Sequence, residues 1–366
     1  MKIQEIISVL ENFTPTFLQE SYDNIGLLTG NKNWLCKGVL CTLDVTEAVV
    51  QDAINNKCNL IVAHHPIIFS GLKKINGNNY IEKAIITAIK KNIAIYAIHT
   101  NLDNVLYGVN KKIADKLELK NTTVLMPKQN VLSKLYTFVP LQYEEKVKAA
   151  LFNAGAGYIG NYSECSFNVK GKGTFMGNEN TNPFVGKKEK RHEEEEVKIE
   201  VIFPAWMQKD VVAALLQAHP YEEVAYDIIT LKNDYATIGS GLIGELAKPI
   251  DEKLFLRKLK KAFGLKVIKH TRLLNKPIKK VAVCGGAGSF LIQNAANAKA
   301  DIYITSDIKY HEFFDANDNL IVADIGHFES EQYTIELLHE LLQKKFPNFA
   351  VLKTKVITNP VEYFID

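Results

Sequence analysis

Three short apolar stretches in the first third of the chain decide its fold class: KGVLCTLD (37–44), NLIVAHH (59–65) and IAIYAIHTNLD (93–103). Each is long enough for one buried strand, and each ends where polar residues begin. The segments between them, 47–55 and 80–91, carry apolar positions three and four apart and therefore predict helices. Buried strands that alternate with helices indicate a parallel sheet of the α/β class.

The last third of the chain repeats this pattern, with strands predicted at KKVAVC, DIYIT and LIVAD (279–284, 301–305 and 320–324) and helices at 290–297 and 332–345. VLCTLD aligns with VAVCGG, NLIVAHH with DIYITSD, and YAIHTNLD with VADIGHFESE. We interpret these segments as two related α/β lobes with mostly parallel sheets. Ligands of open α/β sheets bind beyond the carboxyl ends of the strands, where the polar residues of both lobes fall.

The middle of the chain follows the order β-α-β-β-α-β, which predicts an inserted α+β domain of the ferredoxin-like kind. We therefore expect a first lobe at 1–124, an insert at 125–235 and a second lobe at 236–366. The charged run KKEKRHEEEE (187–196) is interpreted as a solvated hairpin tip or a mobile loop.

The composition is that of a soluble globular protein, with 47% hydrophobic and 23% charged residues among 366. A net charge of +3, spread along the chain, gives no electrostatic case for nucleic-acid binding. The first residues lack the apolar core of a signal peptide, and no stretch is apolar enough to span a membrane. Five scattered cysteines without a C-x-x-C pair are typical of reduced thiols. We expect a cytoplasmic protein.

Imidazoles and carboxylates gather at three of the predicted strand ends. His64 and His65 are adjacent on an extended chain and point to opposite sides, so they suit two neighbouring ions better than one. Asp103 follows the next strand, and His327 and Glu331 lie four apart, on one face of the final helix. Five ligands are too many for one tetrahedral zinc ion but suit a dinuclear site. A His-His pair alone would equally fit a capping or core feature.

Six spaced motifs resemble those of the GTP cyclohydrolase 1 type 2 family, also called the Nif-three-like family, and together they span essentially the whole chain. They are SYDNIGLLTG (21–30), HHPIIFSGLKKI (64–75), HTNLD (99–103), HPYEEVAYDI (219–228), SDIKYH (306–311) and GHFESE (326–331). The resemblance implies a metal-binding protein with two ions per chain, whose ligands fall here on the same five residues. Zinc, manganese, iron and cobalt all fit mixed nitrogen and oxygen ligands. The resemblance also implies a toroidal homohexamer and a middle insert similar to PII and CutA-type domains.

The family name implies a metal-dependent hydrolase that opens the imidazole ring of GTP, giving dihydroneopterin triphosphate and formate. Asp307, Lys309 and His311 follow the strand DIYIT and are the catalytic candidates; His311 either donates a proton or orients a metal ligand. His99 is interpreted as a structural or ligand-orienting residue, and Asp44 as either a crevice residue or a helix cap. Two alternatives stay open: a metal-dependent phosphoesterase, and a non-enzymatic hexameric metal-binding scaffold or regulatory protein. A nucleotide or another phosphorylated small molecule is the candidate ligand.

Overall fold

The computed structural model describes residues 1–364 and is a mixed α/β structure with three sheets and eleven helices in that range. It divides into two compact units. One unit combines Met1–Pro127 with the chain from Ala236 onward, and the other is Lys128–Tyr235. The two terminal segments therefore form one unit, and the inserted unit begins at Lys128. None of the helices in the described range is long and apolar enough to cross a lipid bilayer.

The first sheet of the larger unit contains five strands. Their spatial order is β1 (Gly26–Thr29), β4 (Ala94–Ala97), β3 (Leu60–Ala63), β2 (Val39–Thr42) and β15 (Val351–Lys353). Neighbouring strands from β4 to β15 pair in parallel, whereas β1 runs antiparallel to β4. Every residue of β2, β3 and β4 is buried, which explains their continuous apolar sequences. The accompanying helices are α1 (Ile3–Phe13), α2 (Glu47–Asn55), α3 (Tyr80–Lys90), α4 (Thr100–Asp103) and α5 (Val109–Lys116).

The second sheet of this unit contains six strands. Their order is β11 (Lys269–His270), β14 (Ile321–Asp324), β13 (Ile302–Ser306), β12 (Ile278–Ala287), β10 (Tyr235–Ile250) and β5 (Lys120–Lys128). The three central strands β12, β13 and β14 are parallel, in the same spatial order as β2, β3 and β4 of the first sheet. The helices of this half are α8 (Glu252–Phe263), α9 (Ile292–Asn297), α10 (His327–Glu331) and α11 (Thr334–Lys345).

The smaller unit follows the chain order β-α-β-β-α-β. Its elements are β6 (Leu132–Pro140), α6 (Glu144–Asn153), β7 (Ser166–Phe175), β8 (His192–Pro204), α7 (Gln208–Ala218) and β9 (Tyr226–Leu231). The sheet order is β7-β8-β6-β9, and all three neighbouring pairs are antiparallel. Side chains from both helices pack with the sheet in one apolar core.

Local sequence explains why the helices of the first half begin where they do. The Thr46 side chain accepts a hydrogen bond from the backbone N–H of Val49 and caps α2. Asn79 caps α3 in the same way through Glu82. The predicted helix over 47–55 coincides with α2, and the one over 80–91 ends one residue earlier than predicted.

Two sequence-based expectations are wrong in detail. The run 187–196 is not all loop, because its residues from His192 on open strand β8 and pair with β7. Glu196 is buried in this strand and accepts a hydrogen bond from Tyr221 Oη at 2.8 Å. Its Oε2 lies 2.0 Å from the position that a Cβ on Gly173 would take. Secondly, His327 and Glu331 lie on the separate short helix α10, because the regular helix is interrupted at 332–333, where the Tyr333 hydroxyl donates to the Ala262 carbonyl.

Candidate metal centre

The two adjacent histidines after β3 are held in different ways. His64 is fully buried, and its Nδ1 lies 2.8 Å from the carbonyl oxygen of Ile98, so Nδ1 carries the proton and donates. This tautomer leaves the lone pair of Nε2 facing inward. His65 turns to the other side, where its Nδ1 lies 2.7 Å from Asp44 Oδ1 at the end of β2. Both Nε2 atoms thereby lie near the Glu331 carboxylate, that of His64 3.8 Å from Oε1 and that of His65 2.9 Å from Oε2.

Three ligand atoms form a first triad around His64. Its Nε2 lies 3.6 Å from Asp103 Oδ1 and 3.8 Å from Glu331 Oε1, too far for hydrogen bonds. His64 Nε2 and Asp103 Oδ1 are buried atoms without a hydrogen-bond partner in the described part of the chain. Buried polar atoms of proteins are nearly always paired, so two unpaired atoms facing each other indicate a missing partner. A cation with nitrogen and oxygen ligands fits that position.

A second triad forms on the other oxygen of Glu331. Glu331 Oε2 lies 2.9 Å from His65 Nε2 and 3.1 Å from His327 Nε2, and the two imidazole nitrogens are 3.3 Å apart. His327 is oriented by Asp307, whose Oδ2 lies 2.6 Å from its Nδ1. Glu331 therefore offers one carboxylate oxygen to each triad, which is the arrangement of a bridging ligand.

The charge state of the cluster shows the same need for cations. Burial raises the pKa of Asp103 to about 7, and the nearby Glu331 carboxylate adds to the rise. Burial alone would lower the pKa of His65, but hydrogen bonds to Asp44 and Glu331 raise it to about 10. The pKa of His327 rises to about 9 in the same way, through Glu331 and Asp307. Without metal ions, protons on His65, His327 and Asp103 therefore balance the negative charge of the cluster. Metal ions can take the place of these protons.

Backbone conformation around the cluster favours particular residue types. Gly286 has φ +64°, and a Cβ built on it would lie 2.4 Å from Glu331 Oε1. Its N–H donates to the Ser330 hydroxyl at 3.0 Å. Asp307, which orients His327, has φ +56°, a left-handed conformation that Asp tolerates better than most residues. Gly285 and Gly286, near the end of β12, therefore allow the close approach of Glu331.

The predicted site residues divide into two sets. The structure brings together His64, His65, Asp103, His327 and Glu331, with Asp307 and Asp44 behind them. Lys309 and His311 are exposed and do not line the cavity; the His311 ring packs against Tyr310 and Phe314. Their catalytic role stays a prediction.

One functional pair was missed in the sequence. Asp23 Oδ1 lies 2.8 Å from His99 Nδ1, and Thr100 donates to the other oxygen of Asp23 through its backbone N–H. These hydrogen bonds hold the pKa of Asp23 at about 2 despite its burial. The His99 ring stands beside those of His64 and His65, with centroids 5.2 and 5.3 Å away, and lines the cavity. The motif SYDNIGLLTG contains Asp23, but nothing in its spacing points to His99.

The cavity above the cluster has a volume of about 1200 Å³. Its wall includes the aromatic side chains of Tyr22, Phe69, Phe290, Phe328 and Tyr363. Carboxylates dominate its charged lining, and Lys269, the one lysine among its described lining residues, holds its Nζ 2.6 Å from Asp324 Oδ2. This volume accommodates a ligand of nucleotide size.

The fold and the cluster together define an α/β protein whose imidazoles and carboxylates, beyond the carboxyl ends of the parallel strands of two mixed sheets, can hold metal ions. The sequence profile of Duf34/NIF3 (NGG1p interacting factor 3) matches residues 1–360. The chain belongs to this family.

Relatives with full-length similarity carry one common name. Proteins named GTP cyclohydrolase 1 type 2 homolog from Halalkalibacterium halodurans and Bacillus subtilis are 41% and 39% identical to this chain, and each alignment covers 98% of both sequences. A crystal structure of a Bacillus cereus protein related to NIF3 superposes with a TM-score of 0.85 at 39% identity, covering 100% of this chain and 99% of the other.

Proposed function

We propose that the cluster holds two divalent metal ions, of zinc, manganese or iron. His64, Asp103 and one carboxylate oxygen of Glu331 would hold the first ion, and His65, His327 and the other oxygen of Glu331 would hold the second. The observation that carries this proposal is the buried pair His64 Nε2 and Asp103 Oδ1, 3.6 Å apart and without other partners in the described range. The two sheets then act as related lobes that each contribute ligands to one centre.

We further propose that this centre catalyses hydrolysis. When bound, two divalent ions lower the pKa of a shared water to about 7 and stabilise developing negative charge. The protein's own residues bind and orient: Asp44 and Asp307 fix the rings of His65 and His327, and Asp23 fixes His99 at the cavity wall. Burial of Glu331 limits access of bulk water to its carboxylate.

GTP is the first substrate to test, because the relatives are named for GTP cyclohydrolase 1 type 2 and the cavity has the volume and aromatic walls to take a purine. The reaction would open the imidazole ring and release formate. The same metal centre would serve the two alternatives to this reaction, hydrolysis of a phosphoester and a non-enzymatic metal-binding scaffold. The proposal includes two expectations from the family. The protein assembles as a toroidal hexamer, and Lys128–Tyr235 is a ferredoxin-like domain related to PII.

The test combines metal analysis with product analysis. Purified protein loaded with Mn²⁺ or Zn²⁺ is incubated with GTP, and products are identified by mass spectrometry. Glu331→Gln removes the bridging charge, and Glu47→Gln, on an exposed position of α2, is the matched control. We expect two ions per chain and dihydroneopterin triphosphate with formate for the wild type and the control, and neither for Glu331→Gln.

Two other outcomes are informative. Two bound ions with GTP intact overturn the cyclohydrolase reaction, and release of phosphate from GTP or from a phosphoester panel then assigns the phosphoesterase. Fewer than two ions per wild-type chain overturn the dinuclear centre itself.

A further inference from the structure

The chain after β15 runs along the metal-centre cavity without forming a helix or strand. We call residues 354–364 the strap. It is fixed at its start by Thr354, whose hydroxyl donates to Asp52 Oδ2 of α2 at 2.7 Å. Further along, Asn359, Pro360, Val361 and Tyr363 line the cavity. The strap therefore forms part of the wall of the site, although none of its residues is among the five predicted ligands.

The strap reaches the first half of the cluster through Thr358. Its hydroxyl donates to Asp44 Oδ2 at 2.5 Å, while the other oxygen of Asp44 lies 2.7 Å from His65 Nδ1. Asp44 is thus held from both sides, and its orientation sets the plane of the His65 ring. A hydrogen bond behind an imidazole ligand fixes its tautomer and direction. Thr358 consequently acts on the ligand atom His65 Nε2 through two hydrogen bonds.

The next residue of the strap reaches the helix that carries the other ligands. Asn359 Nδ2 donates to Glu329 Oε1 at 3.1 Å, and Glu329 lies on α10 between His327 and Glu331. The other oxygen of Glu329 folds back over Gly326, where a Cβ would lie only 2.3 Å away. Asn359 therefore fixes the first turn of the helix that presents His327.

Thr358 acts on the second triad, through Asp44 and His65, and Asn359 acts on α10, which carries His327 and the shared ligand Glu331. The second triad, with His65 and His327, is the more accessible: the side chains of these residues are 21% and 41% exposed, whereas that of His64 is 0% exposed. His64 is oriented by the backbone carbonyl of Ile98, inside the first sheet. The strap hydrogen bonds described above reach Asp52, Asp44 and Glu329, and none of these groups orients His64.

We propose that Thr358 and Asn359 are positioning residues for the metal position formed by His65, His327 and Glu331, and that the strap affects the affinity of this position more than that of the other. This inference rests on the proposed dinuclear centre. It makes the two metal positions unequal: one is built into the sheet, and the other depends on a segment that contacts the cavity from outside any regular element.

The test measures the two metal affinities separately. Metal-free full-length protein is titrated with Zn²⁺ or Mn²⁺ by calorimetry, and bound metal is counted by elemental analysis. Thr358→Val removes the hydroxyl at nearly constant volume, and Thr358→Ser restores it. Thr354→Val is the matched control, because it removes an equivalent threonine–aspartate hydrogen bond of the same strap away from the ligands.

We expect Thr358→Val to weaken one of the two positions by about three- to tenfold, less than the roughly 10–100-fold typical of a residue that bonds a ligand directly. Asn359→Ala should weaken the same position. The other position should be unchanged in Thr358→Val and less affected than the first in Asn359→Ala. Thr358→Ser and Thr354→Val should match the wild type, and thermal unfolding of the metal-free variants should show that the fold is retained.

Two results refute parts of this reasoning differently. If the wild type binds two ions and Thr358→Val leaves both affinities unchanged, or weakens both equally, the positioning role is wrong and the dinuclear centre stands. If the wild type binds fewer than two ions, the proposed centre fails, and the inference fails with it.

Discussion

Replacing Gly286 by alanine tests the geometry of the cluster without touching any ligand. Gly286 has φ +64°, and its new Cβ would lie 2.4 Å from Glu331 Oε1. Cβ atoms essentially never approach other atoms within 3.0 Å, so the carboxylate oxygen must move by at least about 0.6 Å. Functional sites hold their groups to within about 0.5 Å, so this displacement exceeds what a bridging ligand tolerates.

The backbone cost of this substitution can be separated from the clash. An alanine in the left-handed region costs roughly 1–2 kcal/mol in the free energy of unfolding. Gly264, which ends α8, has φ +65° and no atom within 4 Å of the position that a Cβ would take, so Gly264→Ala carries the backbone cost alone. Urea denaturation of the metal-free protein should therefore show a similar loss in the free energy of unfolding for both variants. Any further loss in Gly286→Ala measures the clash with Glu331.

Metal binding should distinguish the two variants. Gly286→Ala should lower the affinity for at least one ion by about tenfold or more, since a displacement near 1 Å can cost about 100-fold in a functional site. Gly264→Ala should bind metal as the wild type does. Calorimetric titration with Zn²⁺ measures both. Wild-type affinity at both positions in Gly286→Ala would refute the role of metal ligand assigned to Glu331 Oε1 in the first triad.

Three further predictions concern ionisation, thiols and the core. The pKa values of His65 and His327 are raised from 6.5 to about 10 and 9, so their stabilisation of the metal-free fold is complete below pH 6.5 and is lost as the pH rises through 9 to 10. Urea denaturation across this pH range should show the free energy of unfolding falling as the pH rises. An equally large fall in a His327→Ala variant would contradict the contribution assigned to His327. Cys165 is half-buried while the other four cysteines are buried, so a thiol reagent should label Cys165 first in the native protein, as peptide mapping would show. Phe255→Ala should cost about 3–5 kcal/mol in the free energy of unfolding, because this ring is fully buried in the core of the second half, whereas exposed Phe364→Ala should change it by less than about 0.5 kcal/mol.

Much of the fold follows from local sequence. The strands β2, β3 and β4 are short continuous apolar segments, and the helices between them begin at caps formed by Thr46 and Asn79. Such signals act over a few residues, so they can be recognised without knowledge of the tertiary structure. No local signal marks the break between α10 and α11. At this break the Tyr333 hydroxyl donates to the carbonyl of Ala262, which is distant in the sequence. Charged residues of β8 were equally misleading, since their strand depends on pairing with β7.

The candidate ligands were predictable from the sequence because imidazoles and carboxylates stand directly after buried strands, and parallel strands end at one edge of a sheet. How they divide into two triads was not predictable. His65 and Glu331 are 266 positions apart, and their 2.9 Å contact joins the end of β3 in one sheet to α10, which follows β14 of the other. The sequence by itself determined that imidazoles and carboxylates follow the buried strands, since strand ends are marked by local periodicity. Tertiary structure alone decided which oxygen of Glu331 serves which triad, that Asp23 holds His99, and that Thr358 stands behind Asp44. Each of these is a contact over a long stretch of chain, and no local pattern encodes it.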